Sequence, residues 1–147
     1  MRPDLDTWAL DMADLVARRS KDPSTQVGAV ILRPDKTVAS VGYNGFPRGC
    51  SDDPALYADR ETKYARVVHA EANAIVTAKE RLDGCTLYTS PLPPCPACAG
   101  LIIQAGITRI VSRVRTNRQG WLEAFNNTSH RMFCEAGVHT EIEHEDC

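Results

Sequence analysis

The sequence predicts an α/β fold, a three-layer α-β-α sandwich built on a mixed sheet of about five strands. Three observations predict it. A helix-period apolar stripe opens the chain, two apolar runs flank a Pro34-Asp35-Lys36 turn, and strand-like runs then alternate with helix-like runs to the end. At 147 residues, 1–147 fits one domain whose core needs no staples.

Leu5, Trp8, Met12, Leu15 and Val16 keep helical spacing, with Asp4 or Asp6 available as a cap. VGAVILR (Val27 to Arg33) and TVASVGY (Thr37 to Tyr43) read as the strands of a hairpin. From Asn44 to about Arg66 no regular element is clear beyond one helical turn. Connections this long inside a compact domain are usually functional or disordered, and Tyr57, Tyr64 and several charges favour function here. A helix opens near His69 and runs to about Arg81, stopping before the Asp83-Gly84 turn. CTLYTS (Cys85 to Ser90) is a short strand, followed by the turn PLPP and a helix from about Cys95 to Ala105, ended by Gly106. TRIVSRV (Thr108 to Val114) is a strand. Trp121, Phe125, Met132, Phe133 and Ala136 mark a helix ended by Gly137, and VHTEIE (Val138 to Glu143) is the last strand. The hairpin is antiparallel, whereas strands separated by helices pair in parallel, so helices cover both faces of a mixed sheet. No repeat, low-complexity segment or linker divides the chain.

Hydrophobic residues make up 43% and charged residues 24%, as in ordinary globular proteins. The net charge of −2 gives no general electrostatic case for nucleic-acid or membrane binding, while a local basic pocket for a small anion remains open. The N-terminus has charges throughout and no apolar h-region, and no stretch approaches a membrane span; a cytoplasmic protein is expected. Six cysteines are too sparse for a disulfide scaffold, and two form a CxxC, which favours metal or redox chemistry. The overlapping sequons at Asn126 and Asn127 then read as chance.

RVVHAEANAI (Arg66 to Ile75) poses the functional question. It starts an amphipathic helix, yet its first turn carries His69 and, two residues on, Glu71, a separation at which helical side chains do not face each other. PLPPCPACAG places Cys95 and Cys98 at the mouth of another helix, where the N-terminus lowers thiol pKa values. If both helices pack on one sheet face, their N-termini converge. One nitrogen and two sulfurs suit tetrahedral Zn²⁺ with the fourth position left to water, whose pKa the metal lowers towards ~7. Glu71 then need not be a ligand: a carboxylate beside the metal takes the water's proton and returns it to substrate. Plainer readings of the parts exist. A lone His near a helix start is often a cap or core residue, and a lone CxxC also serves thioredoxin-like redox pairs and structural zinc. Neither has support elsewhere, since no second redox feature is present and His130, His139, His144 and the other cysteines offer no convincing fourth ligand. H-x-E followed by P-C-x-x-C is the signature of zinc nucleobase deaminases.

On these motifs the chain is identified as a member of the cytidine deaminase superfamily. SKDPSTQVGAV (Ser20 to Val30), GYNGFPRGCSDD (Gly42 to Asp53), HAEANAI (His69 to Ile75) and PPCPACAGLIIQAGI (Pro93 to Ile107) resemble deoxycytidylate (dCMP) deaminases. The similarity runs from about Leu5 to Val111 and is weaker from Ser112 to Cys147. It implies hydrolysis of dCMP to dUMP and ammonia, feeding thymidylate synthesis, with His69, Cys95 and Cys98 matching the family's zinc ligands and Glu71 its proton shuttle. Asn44 matches a residue that contacts the sugar in related deaminases, although Asn-Gly is also plain turn chemistry. A monophosphate needs charge-assisted donors, and the candidates are Lys21, Ser24 and Thr25 with Arg113 and Arg115, each of which equally suits a solvated surface. Arg113 and Arg115 point to the same side of a strand, so one anion meets both. Many relatives are hexamers activated by dCTP and inhibited by dTTP. The resemblance therefore implies a homo-oligomer and a regulatory loop of Gly42, Tyr43, Gly45, Arg48, Ser51, Asp52 and Asp53, with Cys50 inside it and Mg²⁺ accompanying the triphosphate. Some relatives carry a second, structural zinc, whose ligands do not assemble here. The competing readings are a deaminase of deoxycytidine, dCTP or a 5-substituted dCMP, and an inactive nucleotide-sensing zinc module. An editor of tRNA or DNA is disfavoured by the near-neutral charge and the lack of a basic, aromatic strand-binding face.

Overall fold

The computed structural model describes residues 1–116 and 118–145. Along it run α1 (Leu5–Ala17), β1 (Gly28–Leu32), β2 (Val38–Tyr43), α2 (Pro54–Ala58), α3 (Arg60–Arg66), α4 (Ala70–Ala78), β3 (Thr86–Ser90), α5 (Pro96–Gln104), β4 (Arg109–Val114), α6 (Gln119–Ala124), a π-helical turn (Phe125–Ser129), α7 (His130–Ala136) and β5 (His139–His144). The five strands form one mixed sheet in the order β2-β1-β3-β4-β5. β1 is antiparallel to both β2 and β3, while β3, β4 and β5 run in parallel.

Alternation along the strands sorts the core into two layers. Val30, Leu32, Tyr88 and Val111 turn to one face, where α1 covers them with Ala9, Leu10 and Ala13. Ala29, Ile31, Leu87 and Ile110 turn to the other, against Ala70 and Ala74 of α4, Ala99 and Ile102 of α5, and Phe133 of α7. The α-β-α layering thus holds. Two glycines let the helices approach so closely. A Cβ on Gly28 would lie 2.0 Å from the Ala13 carbonyl oxygen, and one on Gly42 would lie 2.4 Å from the Ala74 nitrogen.

Three elements differ from the sequence expectation. α4 stops at Ala78, not near Arg81, because Lys79 adopts a left-handed conformation at φ 53°. The segment from Asn44 to Arg66 holds two short helices. Asp53 caps α2 by accepting the Ala55 N–H, with Pro54 in the first turn, but α3 buries none of its residues and so carries no apolar period to read. The helix expected around Trp121 to Ala136 runs without interruption but contains a π-helical turn, with helical dihedrals at both of its ends. Among the described residues no helix is long and apolar enough to cross a membrane.

Candidate active site

Each of the two helices that carry candidate ligands begins on one. His69 is the N-cap of α4 (φ −70°, ψ 157°) and Cys95 the N-cap of α5 (φ −73°, ψ 167°), and neither side chain is spent on a capping bond. This resolves the spacing of His69 and Glu71. An N-cap lies outside the helical dihedrals, so the rule that separates residues two apart does not hold between them, and both line the same pocket. α4 and α5 lie side by side on one sheet face, which brings their N-termini together.

His69 Nδ1 is 3.4 Å from Cys95 Sγ and 3.4 Å from Cys98 Sγ. The three donor atoms all lie within 4.8 Å of one another. Zinc bonds of ~2.3 Å to sulfur and ~2.0–2.1 Å to nitrogen set tetrahedral ligands ~3.6 Å apart, so the donor set fits Zn²⁺. Among the described residues no fourth His, Cys or carboxylate joins the cluster, which suits a site with one position open to water. The Cys98 thiol donates to Cys95, holding the Cys95 thiol down at about 4 despite burial, and that same bond pushes Cys98 up. The hydrogen bond with Cys95 raises His69. Glu71 is 3% exposed, and burial pushes its carboxyl up to about 7, against the opposing pull of His69.

A cleft opens to solvent above these groups. Its walls add residues that periodicity did not single out. Trp121 was readable only as a helix core position, yet its indole N–H donates to the Pro93 carbonyl at 2.7 Å and its ring lies 5.7 Å from that of His69. Lys63 and Arg118 bring two cations, and neither stands in a motif that marks it. Asp22, inside the SKDPST stretch, is a buried carboxylate in the same wall.

Asn44 lines the cleft, but its amide is largely engaged within the chain. Its oxygen accepts the Val27 N–H at 2.8 Å, and its nitrogen donates to the Thr25 carbonyl at 2.9 Å and to Asp22 at 3.4 Å. Thr25 also lines the cleft and accepts from Arg118. Ser24 stands behind it, donating to Asp22 and accepting from Lys63. Lys21 faces away and pairs with Asp52 at 2.8 Å.

Arg113 and Arg115 require correction as phosphate ligands. Both do meet a shared anion, but it is the protein's own: Asp14 and Glu145 bind both arginines, and Asp11 binds Arg113 as well. Alternation along β4 puts Arg113 with Val111 on the α1 face, across the sheet from the cleft. Of the regulatory-loop candidates, Gly42, Tyr43, Gly45, Arg48 and Asp52 line a second cavity of about 930 Å³, mouth included, together with Lys21 and Asn73. Asp53 instead caps α2, and the Ser51 hydroxyl accepts the Asp53 N–H. Cys50 is exposed.

Residues 3–114 match the model of the cytidine and deoxycytidylate deaminase zinc-binding region. The chain is 46% identical over 136 residues to a protein of Aliivibrio fischeri described as an uncharacterized deaminase in the luxG 3′ region, covering 89% of this chain and 90% of that one. It is 46% identical over 110 residues to mouse deoxycytidylate deaminase, covering 71% of this chain and 61% of the mouse protein; the chain thus spans less than two thirds of that relative. The crystal structure of dCMP deaminase from the cyanophage S-TIM5 superposes with a TM-score of 0.70 at 26% identity, over 97% of this chain and 99% of that one. With the motifs of that family gathered at the mouths of two helices, and its model matched across both, the chain belongs to the cytidine and deoxycytidylate deaminase zinc-binding family.

Proposed function

We propose that the protein hydrolyses dCMP to dUMP and ammonia, supplying dUMP for thymidylate synthesis in the cytoplasm. The carrying observation is the His69–Cys95–Cys98 triad with the buried Glu71 beside it at the base of one cleft. Relatives named deoxycytidylate deaminases support the choice of substrate. His69, Cys95 and Cys98 would hold Zn²⁺, which would supply hydroxide at neutral pH for attack on C4. Glu71 takes the proton that water sheds and delivers it to N3 of the cytosine as the oxygen bonds to C4; it then moves the proton of the new C4 hydroxyl to the amine, so that the C4–N bond breaks, ammonia leaves and C4 becomes the carbonyl of dUMP. Burial raises the Glu71 carboxyl above the usual carboxylate range, which favours its taking up a proton.

Asn44 stands where it meets the sugar with the oxygen lone pair that Val27 leaves free. Lys63 is already neutralised by Asp22 at 2.8 Å. Arg118 faces the cleft with no carboxylate partner among the described residues, so it and Thr25 receive the phosphate. The second cavity, with Lys21 and Arg48 in its wall, takes the regulatory dCTP–Mg²⁺ or dTTP. By resemblance the protein assembles into a homo-oligomer, a hexamer.

The test is ammonia release from zinc-loaded protein offered dCMP, deoxycytidine, dCTP and 5-methyl-dCMP, each with and without dCTP–Mg²⁺ and dTTP. Turnover of dCMP, raised by dCTP and lowered by dTTP, is expected. Indifference to both triphosphates would remove the regulation, and activity only on another compound would remove the substrate assignment.

A further inference from the structure

The wall that α3 contributes to the cleft has almost no anchor of its own. None of its seven residues is buried, and a helix this short without an apolar face is not stable alone. On its N-terminal side α2 is fixed by Tyr57, stacked on Phe46 with ring centroids 3.9 Å apart. On its C-terminal side the chain rejoins the body through the Gly45–Val68 bridge. Between these points, Lys63 is the α3 side chain that reaches the body by hydrogen bonds among the described residues. Its ammonium lies 2.8 Å from Asp22 Oδ2 and donates to Ser24 Oγ at 2.9 Å.

Asp22 is built to hold it. Its side chain is 1% exposed. Oδ1 accepts the Ser24 N–H at 2.9 Å, the Ser24 hydroxyl at 3.0 Å and the Thr25 N–H at 3.2 Å, while Oδ2 accepts from Lys63 and, at 3.4 Å, from Asn44. Burial pushes the carboxyl up, but the Lys63 ammonium and the Ser24 and Thr25 donors overcome it and hold the group below its usual value, so it is charged at neutral pH. One carboxylate therefore ties together both walls of the cleft: α3 on one side, and Asn44 with the Ser24–Thr25 turn on the other.

We propose that Asp22 is a positioning residue for substrate capture, which through Lys63 holds α3 as a wall of the cleft. This rests on the dCMP reading for the identity of the substrate alone. The reacting end of the cleft, at Glu71 and His69, hangs on α4, beyond the Gly45–Val68 bridge that fixes the chain after α3, so the effect of Asp22 falls on KM and leaves kcat in place.

The experiment uses the full zinc-loaded chain with Asp22→Asn, Lys63→Met and the double variant. Amide hydrogen exchange across α3 is expected to quicken about ten-fold or more in each single variant, with α4 and β1 nearly unchanged. KM rises about ten-fold for both dCMP and deoxycytidine, as when one partner of a buried charge pair is removed, and kcat per bound zinc stays within about two-fold. The double variant is no worse than the worse single one, because all three break the same contact. Unchanged α3 exchange in the single variants overturns the proposal, as does a fall in kcat at constant KM. Exchange quickened evenly along the chain also overturns it, since Asp22 would then be ordinary core. If Asp22→Asn does not fold, Lys63→Met, altered at a partly exposed side chain, decides alone. A rise in KM for dCMP but not deoxycytidine would make Lys63 a phosphate ligand and refute the wall. If the unmodified protein does not turn over dCMP, the substrate reading falls, and the exchange data still judge the role of Asp22.

Discussion

Replacing Gly42 by alanine places a Cβ 2.4 Å from the Ala74 nitrogen and 2.5 Å from the Ala70 oxygen, both backbone atoms of α4. Neither can swing aside, so relief to an ordinary contact of ~3.4 Å needs a displacement of α4 from β2 by about 1 Å. Overpacking of this kind costs ~1–3 kcal/mol, and with backbone on both sides the upper end applies. A loss of ~3 kcal/mol lowers Tm by about 6–12 °C for a chain of this size. The catalytic consequence is larger in proportion, because α4 carries Ala70 and Glu71 in its first turn and His69 as its cap. A misplacement of ~1 Å at reacting groups costs about 10²-fold in rate. The control is Gly28→Ala, whose Cβ meets the Ala13 oxygen at 2.0 Å under α1, on the face without site residues. Both variants are assayed at 20 °C for zinc content, Tm and kcat per folded molecule. Both should lose Tm, and Gly42→Ala alone should lose kcat. Wild-type kcat in Gly42→Ala, or an equal loss in Gly28→Ala, would show that the packing of α4 on β2 does not set the site.

Glu71→Gln keeps the three zinc donors and should retain the metal by elemental analysis while losing turnover by about 10²–10⁴-fold; substantial activity would exclude Glu71 as the proton carrier. Arg113→Met should lower stability by ~2–3 kcal/mol in urea, less than the ~3–5 of a fully buried pair because the Asp11 side chain is 62% exposed. Its KM for dCMP should not move, and a rise would restore Arg113 as a phosphate ligand. Arg118→Ala should raise KM for dCMP by about ten-fold or more and leave deoxycytidine unaffected, the loss of one charge-assisted contact. Chelation of zinc should abolish ammonia release and lower Tm, and restoring Zn²⁺ should return both; activity that survives complete removal would refute the assignment of the triad.

Most of the fold was legible because its signals are local. The apolar, β-branched runs in VGAVILR and TRIVSRV, the 3.6-residue stripe from Leu5, and glycines past the helix ends are read from neighbours in the chain, and the five strands and the main helices lie where those signals put them. α3 escaped because a helix with no buried face leaves no period, and α4 ended early because Lys79 carries no sign of its left-handed backbone. Within the site, His69, Cys95 and Cys98 were legible because metal ligation demands particular atoms at particular spacings, and Glu71 because it stands two residues from His69 in the H-x-E motif.

The sequence by itself determined the layered α/β architecture, the donor set for a metal and the family. Only the tertiary structure decided which charges reach the cleft. Arg113 and Arg115 look available in sequence, but the sheet turns them to the α1 face and three carboxylates neutralise them there. Lys63 and Arg118, unmarked in sequence, are carried to the cleft by α3 and by the loop after β4. The physical reason is that a ligand's identity lies in its side chain, whereas the freedom of a charge to bind something else depends on which opposite charges the fold packs against it.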